Sequence, residues 1–203
     1  MKRKEFVDLV GERLTHVTPA RNRAGIAARG LMSAASLAQA SGVAPGRIIL
    51  RSDRRALSLP EGEAVLTHQR PLLQGAATAQ RFLDAHTLES WAAQLDQRIF
   101  LWPKRKGRAF EKSFGQAVHV LSLCAGALFD ACADHVFLSP INSGNATRRP
   151  ARRGDWLYVP ATAPVSAFKD NRRRRGLTRQ RDTVAEVSLT CALPPDVLAR
   201  VCR

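Results

Sequence analysis

No stretch of this 203-residue chain approaches the roughly eighteen consecutive apolar residues that a membrane-spanning helix needs. Its four cysteines, Cys124, Cys132, Cys191 and Cys202, contain no CxxC pair. The five histidines (His16, His68, His86, His119 and His135) do not fall beside them at ligand spacing. Zinc therefore loses its usual signature, and buried free thiols are the expectation, with no metal site. No GxGxxG follows a strand and no P-loop is present, which disfavours Rossmann and phosphate-loop folds. Nor is there an HExxH or a nucleophile elbow, so metalloprotease and serine-hydrolase readings gain no support. Acidic residues are scarce, 17 Asp and Glu against 32 Lys and Arg, for a formal net charge of +15 and a pI near 11.2.

That field attracts polyanions. Nucleic acid is the first candidate partner and an acidic protein the second, against the plain alternative of a genome that favours Arg. An apolar content of 45% is that of a globular chain, and the length suits one domain over 1–203. The N-terminal run Met1–Phe6 is basic but lacks an apolar signal core. The expectation is a cytoplasmic protein that begins near Met1 and does not engage a membrane.

Periodicity predicts a helix over 4–13, with Phe6, Leu9 and Val10 on one face, and a short strand from Leu14 to Thr18, stopped by Pro19. Asn22 reads as the N-cap of a helix over 23–29 and Gly30 as its C-terminal glycine. Further helices are expected over 32–41, 76–83, 88–95, 125–133 and after Pro194. Strands are expected over 98–102, 117–123, 136–138, 156–159 and 184–190, and at the edge segment Arg47–Arg51. Short strands and helices without regular alternation predict an α+β fold rather than a doubly wound parallel sheet.

Several residue groups carry possible chemistry. His16, Thr18 and Asn22 cluster polar groups just ahead of a helix, where a pocket for a small polar ligand would need them. Glu186 lies mid-strand among apolar residues, costly unless paired or functional; an exposed edge-strand Glu is the alternative. Phe100 and Trp102 share a strand face and could stack on a planar ring or simply pack in the core. Arg98 opens that strand and could clamp a pyrophosphate, and Arg51 and Arg54 offer the same chemistry from another loop. Leu138–Ala146 reads as a turn-forming cluster following a strand, with left-handed positions around Asn142, Gly144 and Asn145. Lys169–Arg181 carries seven cations in thirteen residues, among them Arg172, Arg173, Arg174, Arg175 and Arg179. It reads as part of a mobile loop over about 166–182, either a solvated surface or a polyanion-binding element.

The run Leu14-Thr15-His16-Val17-Thr18-Pro19-Ala20-Arg21-Asn22, then Ile26 and Gly30-Leu31, resembles the opening of DarT-like DNA ADP-ribosyltransferase toxins. Val184-Ala185-Glu186-Val187 with Pro194, Pro195 and Val197 resembles their Ala-Glu-hydrophobic strand. Ser143-Gly144-Asn145-Ala146 resembles their Asp-Gly-Asn-Ala turn. The chain is also similar to an uncharacterised bacterial family related to these toxins. It departs in placing Arg23 rather than Leu after Asn22, and residues 42–70 align poorly.

The resemblance implies a single-domain ADP-ribosyltransferase-like fold, a split β-sheet with a central NAD cleft. His16 and Thr18 would then bind the nicotinamide side of NAD, supported by Asn22, with Leu31 and Phe100 alongside. Glu186 would be the catalytic carboxylate. Arg51 would be the phosphate-side Arg, with Arg54 and Arg98 as rivals. The basic segment would recognise the target, and a macrodomain-type antitoxin would be the partner. The implied activity is a nicotinamide-releasing transfer of ADP-ribose to unpaired bases of DNA or RNA, of toxin or phage-defence type. Transfer to protein or a small molecule, or a non-enzymatic basic nucleic-acid-binding protein, are the alternatives.

Overall fold

The computed structural model describes all residues except 104–106, 108, 110, 113, 146–150, 175–183 and 203. Helix α1 (Arg3–Val10) buries Phe6 and Val10 and stops at Gly11, whose φ of 87° few other residues tolerate. Strand β1 (Arg13–Pro19), α2 (Asn22–Arg29) and α3 (Ala34–Ala40) follow, the last capped by the Ser33 hydroxyl, which accepts from the Ser36 amide. Strands β2 (Arg55–Leu59) and β3 (Gly62–Leu66) form a separate hairpin. Three helices come next: α4 (Arg70–Leu73), α5 (Ala76–Arg81) and α6 (Leu88–Asp96). The remaining elements are β4 (Ile99–Pro103), β5 (Val118–Cys124), α7 (Ala125–Cys132), β6 (Val136–Ser139), β7 (Val159–Pro160), α8 (Val165–Arg174), β8 (Glu186–Leu189) and α9 (Pro195–Val201).

Among the described residues the main sheet has six strands in the order β5-β1-β4-β8-β6-β7, antiparallel at every pairing. The fold is therefore mixed α+β on an antiparallel sheet. Along β4, β8 and β6 the alternation sends Ile99, Leu101, Val187, Leu189, Val136 and Leu138 into the larger core. Phe6, Leu128, Phe168 and Leu198, from α1, α7, α8 and α9, close that side. Each fully buried side chain of this kind contributes about 1.5–3 kcal/mol. Phe100 and Phe137 face the other way and pack with Trp91, Ala92 and Leu95 of α6 and with Tyr158. A third cluster, Ala38, Ile48, Leu57 and Leu66, fastens the hairpin to α3.

The chain's two ends meet at Gly30. Leu31 and Leu193 exchange backbone hydrogen bonds of 2.9 Å, and a Cβ on Gly30 would lie 2.1 Å from the Leu193 carbonyl oxygen. With a φ of 81° as well, the position requires glycine.

Several expectations are corrected. Asn22 is not an N-cap: Arg21 holds that position without a side-chain bond, and the Asn22 amide is engaged elsewhere. Arg47–Arg51 is not a strand, because Pro45 opens a 3-10 turn over Pro45–Arg47 and Leu50 has a φ of 54°. Asp155–Leu157 is likewise a 3-10 turn, leaving a strand of only Val159–Pro160. Asn142, Gly144 and Asn145 do not adopt left-handed backbone. The four cysteines are free but half-buried rather than buried.

The basic segment is helical as far as Arg174, because Phe168, Asn171 and Arg172 present one face that the body of the protein buries. Its continuation through Arg175 and Arg179, and most of the basic run Lys104–Arg108, lie outside the described residues. Among the described residues no helix is long and apolar enough to cross a membrane.

Candidate functional site

Strands β1 and β4 pair at Leu14↔Pro103 and Thr15↔Trp102, and the ladder stops there although β1 runs on to Pro19. Beyond that point the His16 ring reaches across, its Nδ1 2.9 Å from the Phe100 carbonyl oxygen. A carbonyl can only accept, so Nδ1 carries the proton and donates. Burial holds the imidazole below its ordinary pKa, outweighing that bond, and the His119 charge lowers it further. The ring is therefore neutral near pH 7, with Nε2 free of a proton.

A cavity of about 870 Å³ opens here, within the roughly 300–1,000 Å³ span of small-molecule sites. His16, Thr18, Phe100, Trp102, Arg98 and Glu186 all line it. Asn22 braces its wall. Its Nδ2 donates to Thr18 Oγ1 at 2.7 Å and to the Val65 carbonyl at 2.9 Å, while its Oδ1 accepts from the Val65 amide at 2.7 Å. One side chain thus ties α2, β1 and β3 together and fixes the direction of the Thr18 hydroxyl.

Glu186 opens β8 opposite Ser139 and is only 2% exposed, which rules out the exposed edge-strand reading. The Ser143 hydroxyl donates to its Oε1 at 2.7 Å, and the Ser143 amide approaches the same oxygen at 3.4 Å. Burial pushes the carboxyl up to about 7, against the pull of the Ser143 bonds and the charges of Arg98 and Arg153. A carboxyl that titrates near neutrality can exchange a proton with a reacting group at working pH.

Arg98 is the cation best placed for a ligand. Its guanidinium lies 3.7 Å from the Tyr158 ring centre and 4.9 Å from that of Phe137, and Nη1 donates to the Ser188 hydroxyl at 3.3 Å. Its Nε is buried without a hydrogen-bond partner among the described residues. Burial lowers its pKa from the ordinary value, but a guanidinium keeps its proton in proteins.

Arg51 also lines the cavity, but its donors are engaged within the protein. They reach both Asp96 oxygens, the Thr67 carbonyl at 2.5 Å and the Ile48 carbonyl at 2.9 Å. Arg54 is exposed at the rim, donating to the Phe114 carbonyl at 2.6 Å with its guanidinium 5.1 Å from that ring's centre. Leu31 does not face the main cavity: it is core, and borders a small neighbouring void.

Of the expected nucleic-acid residues, Arg173 and Arg174 are exposed. Arg172 is 5% exposed and engaged by other groups, so it is a helix anchor rather than a surface contact.

Sequence reasoning missed Arg153. It is 1% exposed, lines the cavity, and donates to the carbonyls of Ala151, Ser143 and Asn145 at 3.1, 3.1 and 3.3 Å. In sequence it is one Arg of several in a basic stretch, and only folding tells it from its exposed neighbour Arg152. Ser143 was legible only as part of a turn.

Compared with known families, residues 12–201 match the model of a family of unknown function, DUF7002. No curated protein and no solved structure matches the chain.

Proposed function

The chain belongs to the DUF7002 family, and from the geometry of its cavity we propose that it is an NAD-dependent mono-ADP-ribosyltransferase. The observation that carries this reading is a buried carboxyl, Glu186, turned into a cation- and aromatic-lined cavity where two strands of the sheet stop pairing. The break between β1 and β4 is what a split sheet with a central cleft would require. The likeness of the two chain ends to DarT-like toxins supplies the reaction type.

The residues fit a dinucleotide. Arg98 lines the cavity with a buried Nε that has no hydrogen-bond partner among the described residues, and a pyrophosphate suits a guanidinium fork. Arg54 adds a rim cation. Phe100 and Trp102 offer flat apolar surface to a ring. His16 presents an unprotonated Nε2, and Thr18 a fixed hydroxyl, to ribose or amide groups.

Bound NAD supplies a glycosidic C1′–N bond; on cleavage the bonding pair leaves with nicotinamide and positive charge builds on the ribose, as in glycoside cleavage. Ionised Glu186 stabilises that charge, an effect of about 2–4 kcal/mol for a well-placed group. As the acceptor bonds to C1′, its proton passes to the Glu186 carboxylate, whose pKa of about 7 suits the transfer.

The acceptor we propose is an unpaired base of DNA or RNA. A net charge of +15 draws a polyanion, and a base must leave its stack before it can enter such a cavity. A protein with this activity would act as a toxin or in phage defence, with a macrodomain-type antitoxin as counterpart.

The test is incubation of the protein with NAD and single-stranded DNA, duplex DNA, RNA or lysate protein, read by mass. A gain of one ADP-ribose on single strands, lost in Glu186→Gln, is the expected result. Modification of protein alone would change the acceptor class. Failure to release nicotinamide from NAD with every acceptor would overturn the reading.

A further inference from the structure

We infer that Ser143 is a positioning residue that keeps Glu186 chargeable and aimed into the cavity, held in place for that task by Trp91 and Arg153. The inference rests on the proposed use of Glu186, but its first readout does not depend on catalysis.

Ser143 is fully buried, yet it lies in a loop rather than a strand or helix. A buried loop needs its backbone groups satisfied by design, and here the satisfaction is specific. The Ser143 carbonyl oxygen accepts from Trp91 Nε1 at 3.2 Å and from Arg153 Nη1 at 3.1 Å. Trp91 is itself fully buried on α6, so one anchor comes from the wall opposite the sheet. Arg153 also holds the Asn145 carbonyl, pinning the loop on its far side. With the carbonyl fixed from two directions, the hydroxyl of Ser143 points at Glu186 Oε1 at 2.7 Å.

An apolar residue at each of these positions would avoid burying a carboxyl, a hydroxyl and a guanidinium together. The groups instead form a chain in which Trp91 of α6 and Arg153 hold Ser143 and Ser143 holds the carboxylate, with Arg98 and Tyr158 also acting on Glu186. Its neighbours Asn142, Gly144 and Asn145 line the cavity, so the loop that holds Glu186 is also a wall against which a ligand would rest.

A hydroxyl that donates to a carboxylate favours the ionised form. Removing it leaves burial less opposed, and Glu186 must take up its proton more readily. A serine acting only as packing would not change that titration.

The experiment follows the Glu186 side-chain carboxyl by 13C NMR across pH in the wild type, Ser143→Ala and Ser143→Thr. Glu186→Gln identifies the resonance. Ser143→Ala should titrate higher by about one pH unit, a tenfold change in ionisation constant, and Ser143→Thr, which keeps the hydroxyl, should return toward the wild type. An unmoved titration in Ser143→Ala would overturn the inference. So would an equal rise in Ser143→Thr if both variants keep the wild-type melting temperature.

The second arm measures nicotinamide release against pH. The acid limb of Ser143→Ala should move up by the same amount. A wild type that never releases nicotinamide would end the proposed function, while the NMR arm would still decide the role of Ser143.

Discussion

The Arg51 guanidinium forks across the Asp96 carboxylate, Nη1 to Oδ2 at 2.7 Å and Nη2 to Oδ1 at 2.9 Å, with both side chains at most a tenth exposed. Gln69 Nε2 adds a bond to the same Oδ1 at 3.2 Å. The pair joins the segment before β2 to the end of α6 and so holds one wall of the cavity. Burial pushes the Asp96 carboxyl up, and Arg51 is what opposes that rise.

Arg51→Ala should therefore act on stability. A buried carboxylate that loses its charged partner costs about 3–5 kcal/mol. Urea unfolding should show a loss of that order, while nicotinamide release per folded molecule stays near the wild-type value. A stable Arg51→Ala variant that no longer binds NAD would return Arg51 to the role of a ligand contact.

Arg98 is expected to behave the other way. Arg98→Lys keeps the charge but loses the planar fork and its stacking on Tyr158. A hydrogen bond to a charged group is worth about 1.5–3 kcal/mol, so KM for NAD should rise roughly tenfold or more. Titration of binding by calorimetry checks it, and unchanged affinity would remove Arg98 from the phosphate side.

Glu186 makes stability depend on pH. It keeps its proton to about 7 in the fold, against an ordinary value of 4.5 when exposed. The folded chain thus binds the extra proton between those values. The stability contributed by this group is complete below the lower value and is lost as pH rises through the upper one. Glu186→Gln has no such proton to lose, so its stability relative to the wild type should improve from pH 5 to pH 8.5, by up to about 3 kcal/mol. Equal differences at both pH values would contradict the burial argument.

The basic helix α8 separates structure from binding. Arg173→Ala and Arg174→Ala should each weaken nucleic-acid binding and lower the slope of log affinity against log salt by about one. Arg172→Ala should instead lower the melting temperature, since that side chain is buried. Filter binding across a salt series, beside thermal melts, distinguishes the two outcomes.

Gly30→Ala should break the seam between the chain's ends. The added methyl would meet the Leu193 carbonyl and also demand a positive φ. Strain of this kind costs typically 1–3 kcal/mol, about the scale of an overpacked core site. Amide exchange at Leu31 and Leu193 should quicken in the variant; unchanged exchange there would contradict the steric argument.

What the sequence made legible was set by local pattern. The run Ile99–Trp102 is a short unbroken stretch of β-branched, aromatic and other apolar residues that ends at Pro103, and it forms a strand over Ile99–Pro103. Glu186 stood out because a carboxyl among Val and Ala is anomalous in any strand. Asn22 was misread because its N-cap propensity is local, whereas its partner Val65 lies 43 residues away. The hairpin Arg55–Leu66 was missed because its strands are short and apolar Ala56 and Val65 lie between the buried residues Leu57, Leu59, Ala64 and Leu66, which blurs the alternation in sequence. Arg51, Arg98 and Arg153 could not be ranked, because an arginine's role depends on which acceptors folding brings to it.

β8 has a consequence for synthesis. Among the described residues the strand that carries Glu186 comes last in chain order within the sheet, yet it fills the slot between β4 and β6. Until residues 186–189 emerge, those two strands face each other with bare edges, open to chaperones or to wrong pairings. The nascent chain therefore cannot assemble the proposed catalytic centre until residues 186–189 have joined the sheet.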